Sequence, residues 1–278
     1  MSQTALVTGS STGIGLHTAI ELAQRGFTVV ATMRDTSRRD ALDAAASEAG
    51  VTVDVRALDV TDHDAARACV YSVLADHGHL DVLLNNAGRG AVGTTEQLSM
   101  DEVRAQLEVN YLGPVGLTKL VLPFMREHGS GRILTVTSVG GAVGQPFADA
   151  YCGAKFAVEG FMQSLAPVAL AHGVRVSVVE PAAVASEFVA NVARPEVGDD
   201  AYSPQLSAYL GRTSAAFAAA QSSQDAARAI ADAATAGEYR FRWQTSEQAS
   251  AFVGASLADL DGMRVLGVTR AWIGATGA

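Results

Sequence analysis

Residues 8–15 read Thr8-Gly9-Ser10-Ser11-Thr12-Gly13-Ile14-Gly15, and they directly follow a short apolar run, Thr4 to Thr8. The glycines allow a tight turn and a close approach of the backbone to a ligand. A helical pattern begins at the end of this turn, and the N-terminus of such a helix offers unpaired backbone N–H groups to an anion. The stretch therefore predicts a pyrophosphate site between a strand and a helix. A turn that serves only packing is the alternative.

The alternation of short apolar runs with helical segments continues along the chain. The further predicted strands are Thr28 to Thr32, Val51 to Leu58, Val82 to Leu84, Ile133 to Thr137, Val174 to Val179 and Tyr239 to Trp243. Strands without polar alternation, separated by helices, are typical of a parallel sheet that is buried on both faces. We expect an α/β fold with a doubly wound, mostly parallel sheet of the Rossmann type, whose ligands lie beyond the carboxyl ends of the strands.

The length of 278 residues is compatible with one domain around one sheet. We expect residues 1–180 to form the cofactor-binding and catalytic core. Residues 181–278 are expected to form a substrate loop, a small helical lobe and the C-terminal strand, with a last helix starting at Ser246. The Ala-rich stretch 213–236 predicts helices, and it is open whether they form an oligomer face or only pack internally.

Composition and charge exclude several classes of function. The net charge is −9 and no long run of Lys or Arg occurs, which argues against binding of nucleic acid or anionic membranes. Neither Cys69 nor Cys152 lies in a metal-binding or disulfide pattern, and the six histidines are scattered, so no metal site is expected. No signal sequence or bilayer-spanning apolar run is found. We expect a cytoplasmic protein that acts on a small molecule, with a homo-oligomer left open.

Tyr151 and Lys155 lie four residues apart in an apolar helical pattern, which places them on one helix face. A tyrosine has a pKa near ~10 in water, so it is a poor base at neutral pH until a neighbouring cation favours the phenolate. Lys155 supplies that cation, and such a pair can exchange a proton with a carbonyl or alcohol oxygen. Taken alone, this spacing is more often a simple pair on a helix surface.

Together the motifs resemble the classical short-chain dehydrogenase/reductase family over roughly residues 4–190. The first turn has the family's TGxxxGIG spacing, and Asn85-Asn86-Ala87-Gly88 follows the fourth strand where the family has its NNAG motif. Asp59, in Leu58-Asp59-Val60, ends the third strand at the position that holds the adenine amino group in the family. The alternatives are an ordinary turn at residues 86–88 and a helix cap at Asp59.

The resemblance also implies a catalytic tetrad of Asn110, Ser138, Tyr151 and Lys155. Ser138 follows the fifth strand and lies thirteen residues before Tyr151, and Asn110 stands in Val109-Asn110-Tyr111. By this resemblance Ser138 binds the substrate oxygen, Tyr151 exchanges the proton, Lys155 holds the nicotinamide ribose, and Asn110 anchors a water. A turn hydroxyl at Ser138 and a buried amide at Asn110 are the structural alternatives.

The family's PGxxxT motif, which grips the carboxamide, corresponds here to Pro181-Ala182-Ala183-Val184-Ala185-Ser186. Ala182 replaces the glycine, and its Cβ restricts positive φ. The cofactor-binding residues implied by the resemblance are Gly9, Ser11, Thr12, Gly13, Ile14, Gly15, Arg34, Asp59, Val60, Asn86, Ala87, Gly88, Tyr151, Lys155, Pro181, Val184 and Ser186.

The end of the second strand, Ala31-Thr32-Met33-Arg34, indicates the type of nicotinamide cofactor. Members that prefer NAD have an acidic residue at the place of Met33, and an arginine that follows resembles NADP-preferring members. A guanidinium can pair with the 2′-phosphate through two charge-assisted bonds. We expect NADP, with a Met33→Asp and Arg34→Ala pair reversing the preference. The alternative is that Arg34 only pairs with a neighbouring Asp on the surface.

The resemblance predicts an NADPH-dependent carbonyl reductase that interconverts a ketone or aldehyde and an alcohol. An NAD-dependent alcohol dehydrogenase of the same fold and a non-catalytic, cofactor-sensing binding protein are the alternatives. A hydrophobic substrate is suggested by apolar residues in the variable regions, although core packing explains them equally well. These residues are Phe147, Phe188, Tyr202, Leu206 and Phe217.

Overall fold

Seven parallel strands form the central sheet in the computed structural model, which describes residues 2–187, 192 and 200–274. The strands of the chain are β1 (Thr4–Thr8), β2 (Thr28–Met33), β3 (Asp54–Ala57), β4 (Val82–Asn85), β5 (Gly131–Val136), β6 (Val174–Glu180), β7 (Val184–Ala185), β8 (Gln221–Ser222) and β9 (Arg242–Gln244). Their order across the main sheet is β3-β2-β1-β4-β5-β6-β9, and β7 pairs with β8 apart from it. The predicted doubly wound, Rossmann-type α/β fold is confirmed.

Helices alternate with these strands. They are α1 (Gly13–Gln24), α2 (Asp40–Ala49), α3 (His63–His77), α4 (Met100–Leu107), α5 (Gly113–Glu127), α6 (Asp149–Leu170), α7 (Ser203–Ala218), α8 (Ser223–Thr235), α9 (Glu247–Leu257) and α10 (Met263–Arg270). The helix expected from Ser246 is α9, whose N-cap is Ser246 itself. The Ala-rich stretch is helical as predicted, but the two-residue strand β8 divides it between α7 and α8.

The sheet is buried on both faces, which explains why its strands show no polar alternation. Along β1, Leu6 belongs to the core cluster on one face, whereas Ala5 and Val7 belong to the cluster on the other. Successive side chains of a strand point to opposite faces, so every central strand contributes side chains to both clusters. The helices cover these faces and leave the carboxyl edge of the sheet available for ligands.

The two outer strands are shorter than the sequence predicted. β3 begins at Asp54 rather than Val51, because the Val51 N–H donates to the Ala46 carbonyl at the end of α2. β9 begins at Arg242 rather than Tyr239, because the Arg240 carbonyl accepts from the Ser177 hydroxyl and the Trp243 indole instead of continuing the ladder. Both lie at an edge of the sheet, where only one neighbour holds a strand in place.

The described part of the chain has neither a candidate membrane span nor a candidate metal cluster. None of the helices in residues 2–187, 192 and 200–274 is long and apolar enough to cross a membrane. The same residues contain no group of three or more His, Cys, Asp or Glu side chains that could hold a metal ion. Cys69 and Cys152 are both buried and form no disulfide.

Candidate active site

The predicted motifs meet at one edge of the molecule. All neighbouring strands of the main sheet are parallel, so their carboxyl ends lie along the same edge. The glycine-rich turn follows β1, Asp59 follows β3, Asn86 follows β4, Ser138 follows β5 and Pro181 follows β6. The sequence alone placed these segments at strand ends, and the sheet order makes them neighbours.

The glycine-rich turn is closely packed and leaves the start of α1 uncapped. Gly9 and Gly13 have positive φ values of 68° and 58°. A Cβ on Gly15 would overlap the Gly9 carbonyl oxygen and the Asn86 side chain. The N-cap residue Thr12 makes no side-chain hydrogen bond to the helix, so its first backbone N–H groups remain available to an anion.

Asn86 connects the glycine-rich turn to the end of β4. Its Nδ2 donates to the carbonyl oxygens of Thr8 at 2.8 Å and Gly9 at 3.1 Å. In return, the Thr8 hydroxyl accepts from the backbone N–H groups of Asn86 at 2.9 Å and Ala87 at 3.0 Å. These four bonds set the shape of both segments, which is more than an ordinary turn would require.

Asp59 does not cap the helix that follows it. Its Oδ1 accepts from the backbone N–H and the hydroxyl of Thr61, at 2.9 and 2.8 Å. The cap of α3 is Asp62, whose carboxylate accepts from the N–H groups of Asp64 and Ala65. The helix-cap alternative for Asp59 is therefore wrong.

Arg34 is exposed at the carboxyl end of β2. Among the residues that the structure describes, no ion pair involves Arg34. The neighbouring Asp35 accepts hydrogen bonds from Ser37 instead. The alternative in which Arg34 pairs with a nearby aspartate is thus not observed. Met33, by contrast, is 3% exposed and packs in the core, so a carboxylate at this position would be buried without a partner.

Tyr151 and Lys155 lie on α6, and Ser138 lies opposite them at the end of β5. The side chains of Tyr151 and Ser138 are hydrogen bonded to each other. The Ser138 Oγ also accepts from the Gly140 N–H at 3.0 Å, which fixes its orientation. The Lys155 Nζ lies 5.8 Å from the centroid of the Tyr151 ring and donates to the Val136 carbonyl oxygen at 3.0 Å. The structure thus brings these three side chains together.

Asn110 lies in a π-helical turn, Glu108–Leu112, between α4 and α5. Such turns interrupt helices at functional positions more often than elsewhere. The Asn110 Nδ2 donates to the Arg89 carbonyl at 2.9 Å and to Gln106 Oε1 at 3.0 Å. A Cβ on Gly88 would lie 3.1 Å from Asn110 Oδ1 and 3.7 Å from Lys155 Nζ. Asn110 and Lys155 therefore approach the same glycine.

Burial changes the proton affinity of both groups on α6. It raises the pKa of Tyr151 above the usual range, and the hydrogen bond from Ser138 only partly opposes this. It lowers the pKa of Lys155 to about 8, although the Glu159 carboxylate acts in the other direction. The sequence predicts that Lys155 lowers the pKa of Tyr151, whereas in the structure burial raises it. Tyr151 is consequently protonated at neutral pH, as a proton donor must be.

The segment after β6 returns to the glycine-rich turn. A Cβ added to Gly13 would lie 3.1 Å from the Cβ of Ser186. Val184 pairs with Gln221 in the small second sheet. Ala182 packs against the cluster that contains Val139. Among the described residues, Phe147 is the one non-glycine residue with positive φ. Ala182 therefore does not adopt the positive φ that its Cβ would restrict.

The predicted apolar residues do not share one location. The Phe147 ring lies 5.6 Å from Tyr209, whose proximity contributes to the raised pKa of Tyr151. Leu206 is buried in the core. The Tyr202 hydroxyl donates to Glu96 at 2.7 Å on the surface. Phe217 lies near the end of α7. Phe188 lies outside the described residues. Tyr209 was not singled out from the sequence, because no motif marks it.

Comparison with known proteins agrees with this geometry. The family model described as "short chain dehydrogenase" matches residues 3–196. Human retinol dehydrogenase 8 is 42% identical over 190 residues, which cover 67% of this chain and 60% of that protein. Rat estradiol 17-beta-dehydrogenase 1 is 42% identical over 196 residues, covering 67% of this chain and 56% of that protein. The chain therefore belongs to the short-chain dehydrogenase family.

Solved structures support the same assignment. A short-chain dehydrogenase from Streptomyces avermitilis superposes with a TM-score of 0.83 and 31% identity, covering 98% of both chains. A metagenomic short-chain oxidoreductase in complex with NADP gives a TM-score of 0.62 and 36% identity, covering 64% of this chain and 81% of that one. The chain matches less than two thirds of the length of retinol dehydrogenase 8 and of estradiol 17-beta-dehydrogenase 1.

Proposed function

We propose that the protein is an NADP(H)-dependent oxidoreductase that interconverts a ketone or aldehyde with an alcohol. The observation that carries this proposal is the hydrogen bond between Ser138 and Tyr151, with Lys155 beneath the same ring. Two hydroxyl groups that meet at the carboxyl edge of the sheet can bind one substrate oxygen, and one of them can donate its proton. Membership in the family supports the reaction class.

The residues along the edge fit a nicotinamide dinucleotide. The uncapped start of α1 suits a pyrophosphate, and the close approach of Gly9, Gly15 and Asn86 leaves no room for side chains at the turn. Asp59 and Val60 are proposed to border the adenine, and Ala87 and Gly88 the adjacent ribose. Pro181, Val184 and Ser186 are proposed to contact the carboxamide. When bound, this cofactor supplies or accepts the hydride.

The side chains of the site have distinct proposed roles. Ser138 donates a hydrogen bond to the substrate oxygen, and Tyr151 gives its proton to that oxygen as negative charge develops. Lys155 holds the ribose and provides positive charge near Tyr151. Asn110 is proposed to anchor a water, and its carboxamide is itself held by Arg89 and Gln106.

Cofactor choice is proposed to depend on Arg34. The exposed guanidinium has no ion pair within the described residues and can bind a 2′-phosphate. A hydrogen bond to a charged group contributes about 1.5–3 kcal/mol, or roughly 10–150-fold in affinity. We expect kcat/KM to favour NADPH over NADH by that order, and Arg34→Ala to remove most of the preference. The measurement is the ratio of the two values at fixed ionic strength.

Arg126→Ala is the matched control for Arg34→Ala. Arg126 is also an exposed arginine, but it lies near the end of α5, at the opposite edge of the sheet, so its loss should leave the ratio unchanged. A wild-type ratio near one would also count against a phosphate contact of Arg34, and a ratio well below one would favour the NAD-dependent alternative. A ratio unmoved by Arg34→Ala would show that this arginine does not bind the phosphate. We no longer expect Met33→Asp to reverse the preference, because Met33 is buried.

The substrate is proposed to be hydrophobic and to lie against residues 181–278, with Phe147 and Tyr209 beside the reacting oxygen. The names of the relatives, a retinol and an estradiol dehydrogenase, support this class for the present chain.

A panel of steroid, retinoid, β-ketoacyl thioester and aromatic carbonyls with NADPH tests the proposed substrate class through the loss of nicotinamide absorbance. Turnover of the apolar ketones is expected. Cofactor binding with no turnover on the whole panel would favour the binding-protein alternative. A cytoplasmic location is part of the same proposal.

A further inference from the structure

A buried ion cluster lies one helical turn beyond Lys155, and the proposed reaction does not use it. Glu159 on α6 and Glu180 at the end of β6 have side chains that are 3% and 0% exposed. Arg242 on β9 donates through Nη1 to a carboxylate oxygen of each. Burial of two carboxylates with one guanidinium is costly and gives little net stability, so stability alone does not explain the arrangement.

Glu159 is held in one place from several sides. Its Oε1 accepts from the Thr137 hydroxyl at 2.7 Å, and its Oε2 accepts from Arg242. Residue 141 is a glycine, and a Cβ at this position would overlap Glu159 Oε1. The missing side chain of Gly141 thus makes room for the Glu159 carboxylate. The second oxygen of Glu180 accepts from Gln244 Nε2 at 2.5 Å. The carboxylate of Glu159 therefore has little freedom to move.

The position of this carboxylate connects it with the active site. Glu159 follows Lys155 by four residues, so the two lie on one face of α6. Thr137, which holds Glu159, directly precedes Ser138. Tyr151, Cys152 and Glu159 are the titratable groups on the same stretch of α6 as Lys155, and Glu180 and Arg242 lie behind Glu159 on the neighbouring strands.

We propose that Glu159 is a positioning residue whose fixed carboxylate keeps the buried Lys155 ammonium charged beneath Tyr151. Burial by itself favours the neutral amine, and the negative charge of Glu159, one helical turn further along α6, opposes it. Thr137 and Arg242 keep Glu159 where it can do so, and Arg242 also donates to Glu180. The inference rests on the proposed function of Lys155, because an uncharged amine would neither hold the ribose firmly nor support proton transfer from Tyr151.

The test reads the charge of Lys155 directly. Lys119, which is exposed, is the only other lysine in the sequence, so protein labelled with ¹³C-lysine gives two Cε signals. A Lys119→Arg variant assigns them, and a pH titration by NMR follows each signal. In Glu159→Gln the pKa of Lys155 should fall by about one pH unit, which is the lower end of the effect of a close opposite charge. That of Lys119 should not move.

Glu180→Gln is the matched control, because it removes an equally buried carboxylate from the same Arg242 and leaves the Glu159 charge, one helical turn from Lys155, in place. It should leave the pKa of Lys155 unchanged. The alkaline limb of the kcat/KM profile should move to lower pH in Glu159→Gln only. An unchanged Lys155 pKa in folded Glu159→Gln, or an equal fall in both variants, would overturn the proposal.

If Glu159→Gln does not fold, Glu159→Asp replaces it. Aspartate keeps the charge but draws it back by one methylene towards α6, so the pKa of Lys155 should fall by part of the same amount. A wild-type value in this variant would also overturn the proposal. The NMR result does not depend on turnover. Wild-type protein that reduces no carbonyl would therefore refute the proposed function. The effect of Glu159 on the pKa of Lys155 would still be decided by the NMR titration.

Discussion

Tyr151→Phe is expected to lower kcat for carbonyl reduction by about 10²–10⁴-fold, the usual contribution of a general acid. The variant keeps the ring that packs above Lys155 and loses only the hydroxyl that is bonded to Ser138. NADPH affinity should therefore stay close to the wild-type value. Steady-state kinetics together with a fluorescence titration of NADPH measure the two effects separately.

The control for this change is Tyr71→Phe. Tyr71 is an exposed tyrosine on α3 that packs against Phe124, and loss of its hydroxyl should leave both kcat and NADPH affinity unchanged. If Tyr151→Phe kept more than a few per cent of the wild-type kcat, Tyr151 would not be the proton donor. Ser138 or a bound water would then have to carry the proton.

Lys155→Met is expected to impair both turnover and cofactor binding. The ammonium is buried and donates to Val136, and its proposed partners are the ribose and Tyr151. Loss of a hydrogen bond from a charged group weakens binding by about 1.5–3 kcal/mol, so the Kd for NADPH should rise by roughly 10–150-fold. Isothermal titration measures this rise, and kcat should fall in the same variant.

Methionine has a similar length and no charge, so it should fit the buried site without loss of folding stability. Lys119→Met, which alters the exposed lysine, is the control and should change neither constant. A folded Lys155→Met protein with wild-type NADPH affinity would remove the ribose contact from the account. Any fall in its kcat would then have a purely catalytic explanation, as in Tyr151→Phe.

The central strands and the site motifs could be predicted because their signals are local. The turn at residues 8–15 needs glycine at fixed spacings, and a parallel sheet collects every strand end at one edge. The contacts of Asn86 with Thr8 span 78 positions, but β1 and β4 are neighbours in the parallel sheet, so these two strand ends lie together. Edge strands were placed less well, because a single neighbour and the adjacent loops decide their length.

Other features depend on partners that are far apart in the sequence. Glu159 and Arg242 are separated by 83 positions, and nothing in either segment indicates that they meet. Tyr209 reaches the surroundings of Tyr151 only because α7 folds back over Phe147. The raised pKa of Tyr151 likewise follows from burial, which the spacing to Lys155 does not reveal. Such features require the three-dimensional structure.

Transfer of a deuterium label shows whether hydride passes from the cofactor to the substrate carbon. NADPH that carries deuterium in place of both hydrogens at C4 would be incubated with a ketone from the panel, and the alcohol product analysed by mass spectrometry. The account predicts an alcohol that carries one deuterium on the carbinol carbon, formed by wild-type protein and almost absent with Tyr151→Phe. A product without deuterium, or the same labelled product at an equal rate from Tyr151→Phe, would contradict it.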